Sequence, residues 1–203
     1  MKATDVYAFT AGKLAHLLNM KNEGQQKAQL AELRRGVGKQ PGDLPQLWGS
    51  LLEGMSEDMM GASGSASYAE WSVYTAMTLF ALHQQGHDVH QEPMHRTPEN
   101  DGFSVSIGAA AAQLVHSEDE RERVLRRFHQ AATASEREEM AYHLRGLVQL
   151  LRQEGVALDY ALLAKELYLY QYPENQTGVR LRWGEDFYKP LNRKQESEEE
   201  NHE

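Results

Sequence analysis

Apolar residues recur every three or four positions along most of the chain, which is the spacing of one face of an α-helix. The segment at residues 68–84 shows this pattern, with Trp71, Leu79 and Leu82 among its apolar positions. Asp43 followed by Pro45 is typical of a helix start, because aspartate caps free backbone amides and proline fits the first turn. The predicted helices cover residues 5–18, 22–35, 45–52, 68–84, 106–115, 118–132, 135–153 and 159–170.

Two stretches interrupt this pattern. Residues 59–67 are rich in glycine and serine, which predicts a flexible connection outside the core. Residues 85–101 contain Gly86, Pro93 and Pro98 and few apolar side chains, which predicts a linker. The sequence therefore predicts an all-α fold of two helical bundles joined by a linker. The expected divisions are an N-terminal bundle at 1–85, a linker at 86–101, a C-terminal bundle at 102–192 and an acidic disordered tail at 193–203.

One short segment shows the alternation of a β-strand instead. Val179, Leu181 and Trp183 alternate with two arginines, after a run at residues 175–178 whose asparagine and glycine favour a turn. A strand at residues 178–183 is therefore an open alternative to helix in this part of the chain.

Composition excludes several classes of protein. The absence of cysteine excludes disulfides, thiol nucleophiles and thiolate metal sites. No apolar run approaches the length of a membrane span, and no signal-like segment begins the chain, so neither membrane insertion nor export is expected. With 40% apolar residues, the chain can bury a core. We expect a folded cytoplasmic protein.

Charge is unevenly distributed along the chain. The formal net charge of -9 argues by itself against a nucleic-acid partner. Five glutamates fall within the last nine residues, however, so the preceding part carries only -4. Residues 121–152 contain seven arginines and four acidic residues, a local balance of +3. Because local charge density determines what a surface attracts, this segment is a candidate for anion binding.

Two predicted helices in this segment place arginines together on a polar face. At 100° per residue, Arg123, Arg126 and Arg127 gather opposite the apolar face of their helix. On the next helix, Arg145 and Arg152 lie one above the other beside the apolar stripe. Guanidinium groups offer a planar set of donors and stay charged, which suits phosphates. The competing interpretation is a solvated helix face whose arginines pair with nearby glutamates.

Three histidines have the spacing of metal ligands. His83, His87 and His90 could bind zinc in principle, but no carboxylate completes a metalloprotease pattern. Gly86 also interrupts the helix between the first two. A solvated helix end is the better explanation of these histidines.

Other candidate residues are explained by helix capping. Ser104 and Ser106 resemble a nucleophile motif only superficially, because GxSxG would require glycine where Ser106 stands and no strand precedes it. A helix start capped by one of these serines is the simpler interpretation, and Asp159 is expected to cap the next helix.

The three tryptophans have rings that could stack on nucleobases. Trp48 and Trp71 lie on apolar faces and are expected in the core. The sequence does not assign Trp183 to the core or to the surface. Since no catalytic or metal-binding group emerges, we expect no enzymatic activity, no metal and no cofactor.

Several short motifs occur in an order typical of one protein family. They are LAELRRG at 30–36, PQLW at 45–48, TLFALHQ at 78–84, GFSVSIG at 102–108, RRF at 126–128, HLRGLVQLLR at 143–152, LDYALLAKELY at 158–168 and WGEDFY at 183–188. In their order and spacing, over about residues 26–190, the chain resembles the small-subunit family of type I-E Cascade, called CasB. Cascade is an RNA-guided CRISPR surveillance complex.

The resemblance implies an all-α, non-catalytic protein that assembles with a second copy of itself and with other Cascade subunits. It also implies backbone contacts with guide RNA and target DNA, and support for the displaced strand, so that the open R-loop persists. The implied contact residues are Arg34, Arg35, Arg126, Arg127 and Arg145. Local charge adds Lys39, Arg123, Arg152, Arg180 and Arg182. The alternative is a helical adaptor that binds only proteins, with its arginines facing acidic partner surfaces.

Overall fold

A computed structural model describes residues 1–62, 64–97 and 105–200, with side chains through residue 192. The regular secondary structure of the described residues consists of helices and one isolated β-bridge, which confirms the all-α prediction. The helices are α1 (Ala3–Leu18), α2 (Glu23–Arg35), α3 (Trp48–Leu52), α4 (Tyr68–His83), α5 (Ile107–Gln113), α6 (Glu118–Thr133), α7 (Arg137–Glu154), α8 (Tyr160–Tyr170) and α9 (Pro173–Glu200). None of these helices has both the length and the apolar content needed to cross a membrane.

Polar side chains cap the starts of several helices. Ser67, Ser106 and Asp159 each accept a hydrogen bond from the backbone amide three residues later. This satisfies one of the amides that have no partner in the first turn. The predicted caps at Ser106 and Asp159 are therefore confirmed, while Ser104 lies outside the described residues.

Helix α4 is the centre of the fold and is buried on every side from Trp71 to His83. Helices α1, α2, α7 and α8 pack around it. Gly36, just after α2, permits one of these contacts, because a Cβ there would lie 2.8 Å from the side chain of Thr78. The hydroxyl of Tyr74 also donates to the carbonyl of Gly36 at 2.9 Å. The glycine of the LAELRRG motif is thus required by packing.

Helix α8 joins the two parts that the sequence separates. It follows the expected linker, yet it packs on α1 and α4. Buried side chains of these helices and of α7 and α9 belong to one hydrophobic core. The core of the described residues is therefore continuous across the expected linker, and the division into two bundles stays a prediction.

Part of the expected linker is docked against the segment that precedes α8. Met94 and His95 are buried. The amide of Leu158 donates to the carbonyl of Met94 at 3.1 Å, and the amide of Arg96 donates to the carbonyl of Leu158 at 3.3 Å. These strand-like hydrogen bonds hold residues 94–96 in place.

The possible strand at residues 178–183 is wrong, because this segment lies inside α9. The buried side chains of α9 recur every four residues and are Val179, Trp183, Phe187 and Leu191. A strand would place Leu181 on the same face as Val179 and Trp183, which are buried, but Leu181 is 61% exposed. Val179 and Trp183 therefore begin the buried stripe of a helix, and Leu181 lies outside this stripe.

Helical backbone continues in α9 through Glu200, into the segment that the sequence predicts to be disordered. Glutamate, lysine, arginine and glutamine have high helix propensity, so this continuation does not depend on apolar packing.

Two side chains contradict the sequence-based placement. Trp48 is 55% exposed, because the short helix α3 turns Leu51 toward the core and Trp48 outward. His83 is fully buried instead of solvated, because α8 covers the end of α4. Trp71 is buried as expected, and Met59, at the start of the glycine- and serine-rich stretch, is also part of the core.

Candidate nucleic-acid interface

Helix α6 has the two faces that its sequence predicts. Val124 and Phe128 are buried, and Phe128 packs against aromatic rings of α9. Arg123, Arg126 and Arg127 are exposed. Since the buried side fixes the rotation of the helix, these three arginines are directed away from the core.

Helix α7 and the loop after α2 bring further cations to the same region. Arg145 is exposed next to the buried Leu144 of α7. Gly38 lies beside it, since a Cβ there would be 4.0 Å from Nη1 of Arg145. Lys39, the next residue, is exposed. The fold thus places the loop after α2 beside α7, a proximity that local sequence patterns do not show.

Three grooves adjoin on this surface. The first, of about 320 Å³, lies between the loop after α2 and α7 and includes Lys39 and Arg145 in its lining. The second, of about 770 Å³, lies between α6 and α7 and is lined by Arg127 and Arg145. The third, of about 250 Å³, is lined by Arg123, Arg126 and Arg127. Because neighbouring grooves share an arginine, these five residues form one surface, which we call the basic strip.

Most of the basic strip lacks compensating charge. Among the described side chains, none of the five strip members forms an ion pair, and Arg123 donates from Nε to the carbonyl of Asp119 at 3.3 Å. The strip members whose side chains form neither an ion pair nor a hydrogen bond are Lys39, Arg126, Arg127 and Arg145. Arg121 and Arg137 nearby, by contrast, pair with glutamates at 3.4 and 3.0 Å. The first and third grooves each include glutamate, whereas the described lining of the second groove contains no carboxylate. The interpretation in which the cations pair with nearby glutamates therefore does not apply to these four residues.

Two other candidate arginines are held against the chain itself. The Nη1 atom of Arg152 donates to Gln85 at 3.2 Å. Arg180 donates from Nε to the carbonyl of Ala132 at 2.7 Å and from Nη2 to the hydroxyl of Tyr170 at 2.6 Å. The Arg180 guanidinium also lies over the Tyr170 ring. Arg180 therefore has a structural role in joining α9 to α6 and α8.

The remaining candidates lie apart from the strip. Arg34 and Arg35 are at the end of α2, and Arg182 is on α9. None of the three lines any of the three grooves. The structure thus brings together five of the ten residues that the sequence singles out.

Tyr142 is a surface residue that the sequence analysis missed. It is 71% exposed and lines both the first and the second groove together with Arg145. Its position on the polar face of α7, three residues before Arg145, was a signal in the sequence.

The buried carboxylate of Glu166 belongs to the core between α8 and α9. Its Oε2 accepts a hydrogen bond from Nε1 of Trp183 at 2.7 Å. Burial raises the pKa of Glu166 to about 7, although the Trp183 hydrogen bond acts in the opposite direction. Trp183 is fully buried, so it offers no face for a base to stack on.

A second buried polar group joins α4 to α8. The Nδ1 atom of His83 lies 2.8 Å from the hydroxyl of Tyr160, and the amide of Tyr160 donates to His95 at 3.2 Å. Burial lowers the pKa of His83 to about 4, so its ring is neutral near pH 7. His83 therefore has a structural role in the core, and the prediction that it belongs to a solvated helix end is wrong.

No set of three or more His, Cys, Asp or Glu side chains in the described ranges is arranged to hold a metal ion.

Comparisons with known proteins agree on one family. A family model of the CRISPR-associated protein Cse2 matches residues 29–188. The crystal structure of CasB from Thermobifida fusca is similar with a TM-score of 0.71 and 30% identity, covering 90% of this chain and 97% of that one. The crystal structure of M. ruber CasB shares the fold, with a TM-score of 0.67 and 20% identity over 92% of this chain and 95% of that one. No match is found among curated proteins. The chain therefore belongs to the Cse2 (CasB) family of CRISPR-associated Cascade small subunits.

Proposed function

We propose that this chain is a non-catalytic small subunit of a type I-E Cascade particle and that its basic strip binds the phosphate backbone of nucleic acid. With other Cascade subunits and a second copy of itself, it holds guide RNA, target DNA and the displaced strand, and so keeps the R-loop open. The observation that carries this proposal is the set of exposed strip cations whose side chains form neither an ion pair nor a hydrogen bond among the described residues, Lys39, Arg126, Arg127 and Arg145.

Backbone contacts of this kind suit an RNA-guided particle. The heteroduplex that forms is about as stable as the DNA duplex that it replaces, so modest protein contacts shift the balance. Phosphate contacts position a strand but carry no sequence information. Sequence specificity therefore stays with the guide RNA, and the strip supplies affinity for any target.

The overall negative charge is compatible with this role because surface electrostatics act over short distances. At physiological ionic strength, interactions between exposed charges are largely screened beyond about 8 Å. A phosphate in the second groove is thus influenced mainly by Arg127 and Arg145, which line that groove.

Charge reversal of two strip residues tests the proposal. If the strip neutralises about four phosphates, the logarithm of affinity for nucleic acid should fall with the logarithm of salt at a slope near roughly -3. The Arg126→Glu/Arg127→Glu variant should flatten this slope by about one to two units and weaken different sequences alike. Both side chains are exposed, so the fold should be preserved. Fluorescence anisotropy over a salt series measures the slope.

Lys21→Glu/Lys27→Glu is the matched control, because it makes the same change in net charge at exposed residues outside the three grooves. This control should keep the parental slope. The protein-only adaptor alternative predicts instead that the strip variant and the control behave alike toward nucleic acid. Equal slopes for the parent and the folded strip variant would refute nucleic-acid binding by the strip.

A further inference from the structure

We propose that the ring of Tyr142 is a stacking platform for an unpaired nucleobase, so that the second groove of the basic strip prefers single-stranded to duplex nucleic acid. This inference rests on the proposed function, because a strand must first lie along the strip.

The ring of Tyr142 is available in a way that other exposed tyrosine rings are not. Its side chain is 71% exposed. Tyr68 and Tyr188 are less exposed, at 43% and 37%. The ring of Tyr68 packs edge-on against that of Tyr172 at 5.1 Å, and the Arg121 guanidinium lies over the ring of Tyr188 at 5.7 Å. Among the described rings, that of Tyr142 contacts only its chain neighbour His143, edge-on at 5.4 Å. A face of the Tyr142 ring is therefore free for a planar ligand.

The cations around Tyr142 would bring a strand to this ring. Arg145 is three residues further along α7, which places it on the same side of the helix. Arg127 lines the second groove from α6, and Lys39 lines the first groove on the other side of Tyr142. A strand whose phosphates contact Arg127 and Arg145 would carry its bases past the ring.

The second groove has the chemistry of a base-tolerant surface. Gln130, Gln149 and Gln153 line it, and their amides both donate and accept hydrogen bonds, so no base is excluded by polarity. The described lining contains no carboxylate that would repel phosphate. Its volume of about 770 Å³ is in the range of sites that accept small organic ligands.

Stacking on Tyr142 would distinguish unpaired from paired strands. Every base has a π-face, so stacking on an aromatic side chain is tolerant of sequence. In a duplex, however, these faces are already stacked on neighbouring base pairs and do not reach a protein ring. Tyr142 is also preorganised, because it lies within the regular helix α7 and a tyrosine side chain has only two torsions to fix. The duplex can still use the arginines, but it gains nothing from the ring.

The test compares Tyr142→Ala, Tyr142→Phe and Tyr142→Leu in the full chain, with an oligothymidine strand and a hairpin duplex of equal length as probes. Tyr142→Ala should weaken binding of the single strand by roughly 5- to 30-fold, the lower part of the range for base–aromatic stacking. Duplex binding should change by less than about twofold. Tyr142→Phe should bind as the parent does, because it keeps the ring, whereas Tyr142→Leu should behave like the alanine variant. The salt slope should stay parental in all three variants, because no phosphate contact is removed.

Trp48→Ala is the control, since it removes an exposed aromatic ring that lines none of the three grooves of the strip. It should leave both affinities unchanged. Parental single-strand affinity in Tyr142→Ala, an equal loss for the duplex, or a loss in Tyr142→Phe would each overturn stacking. These results leave the proposed function intact as long as the Arg126→Glu/Arg127→Glu variant still flattens the salt slope. If neither set of variants changes binding, the proposed function fails as well.

Discussion

Replacing Trp183 with alanine is expected to lower the free energy of unfolding by about 3 to 5 kcal/mol, the usual cost of truncating a fully buried large aromatic side chain. Trp183 is fully buried in α9, where its ring faces Phe128 of α6 and Tyr170 of α8, each at 6.1 Å. Truncation would leave a cavity where three helices meet. It would also remove the hydrogen-bond donor to the buried carboxylate of Glu166.

Chemical denaturation followed by circular dichroism measures this loss. Trp183→Phe should cost less, because it keeps an aromatic ring and removes only the indole donor and part of the volume. Trp48→Ala is the control for loss of a tryptophan, since Trp48 is 55% exposed. If Trp183→Ala costs no more than Trp48→Ala, then α9 is not anchored through Trp183.

Replacing Glu166 with glutamine should stabilise the protein at alkaline pH. Burial raises the pKa of Glu166 from its ordinary value of 4.5 to about 7. Between these two values only the folded state retains the proton, so the free energy of unfolding falls as the pH rises through this window. Glutamine is neutral at every pH and can still accept the hydrogen bond from Trp183. The variant should therefore gain about 2 to 3 kcal/mol relative to the parent between about pH 5 and pH 8.

The difference between variant and parent at each pH isolates this effect. His83 contributes in the opposite direction: burial lowers its pKa to about 4, so its contribution to stability is lost as the pH falls from about 6.5 towards 4. Because His83 is present in both proteins, its contribution cancels in the difference. A difference that stays constant from about pH 5 to pH 8 would show that Glu166 titrates alike in the folded and unfolded states.

The sequence predicted helices well where one face is apolar and the other polar. Helix α6 is such a case, because Val124 and Phe128 fix its buried side and thereby expose Arg126 and Arg127. Caps such as Asp159 were also predictable, since they depend on residues only three positions apart. Local interactions of this kind are fully contained in a short stretch of sequence.

The errors arose where distant segments determine the environment. Helix α4 is buried on all sides, so its periodicity did not show that α8 covers His83. In α9, the alternation from Val179 to Trp183 resembled a strand, because the helical stripe becomes evident only when Phe187 is included. The docking of residues 94–96 depends on backbone hydrogen bonds, which leave no apolar pattern in the sequence.

The same distinction applies to the candidate site. The arginines of α6 and α7 were predicted from single helices. Their continuity with Lys39 required the approach of the loop after α2 to α7, which the close position of Gly38 and Arg145 shows. Conversely, Arg180 looked like a surface cation, but tertiary contacts with Tyr170 and Ala132 hold it against the protein.

The lifetime of the R-loop in a reconstituted Cascade particle tests the central claim most directly. Particles containing the parent chain, the Arg126→Glu/Arg127→Glu variant or the Lys21→Glu/Lys27→Glu control would be compared with a particle that lacks this subunit. Each of the four should carry guide RNA. We expect the strip variant to assemble but to lose its R-loop sooner than the parent, approaching the particle without the subunit, while the control keeps the parental lifetime. A strip variant that assembles fully and keeps the parental R-loop lifetime would contradict the role that we assign to the basic strip.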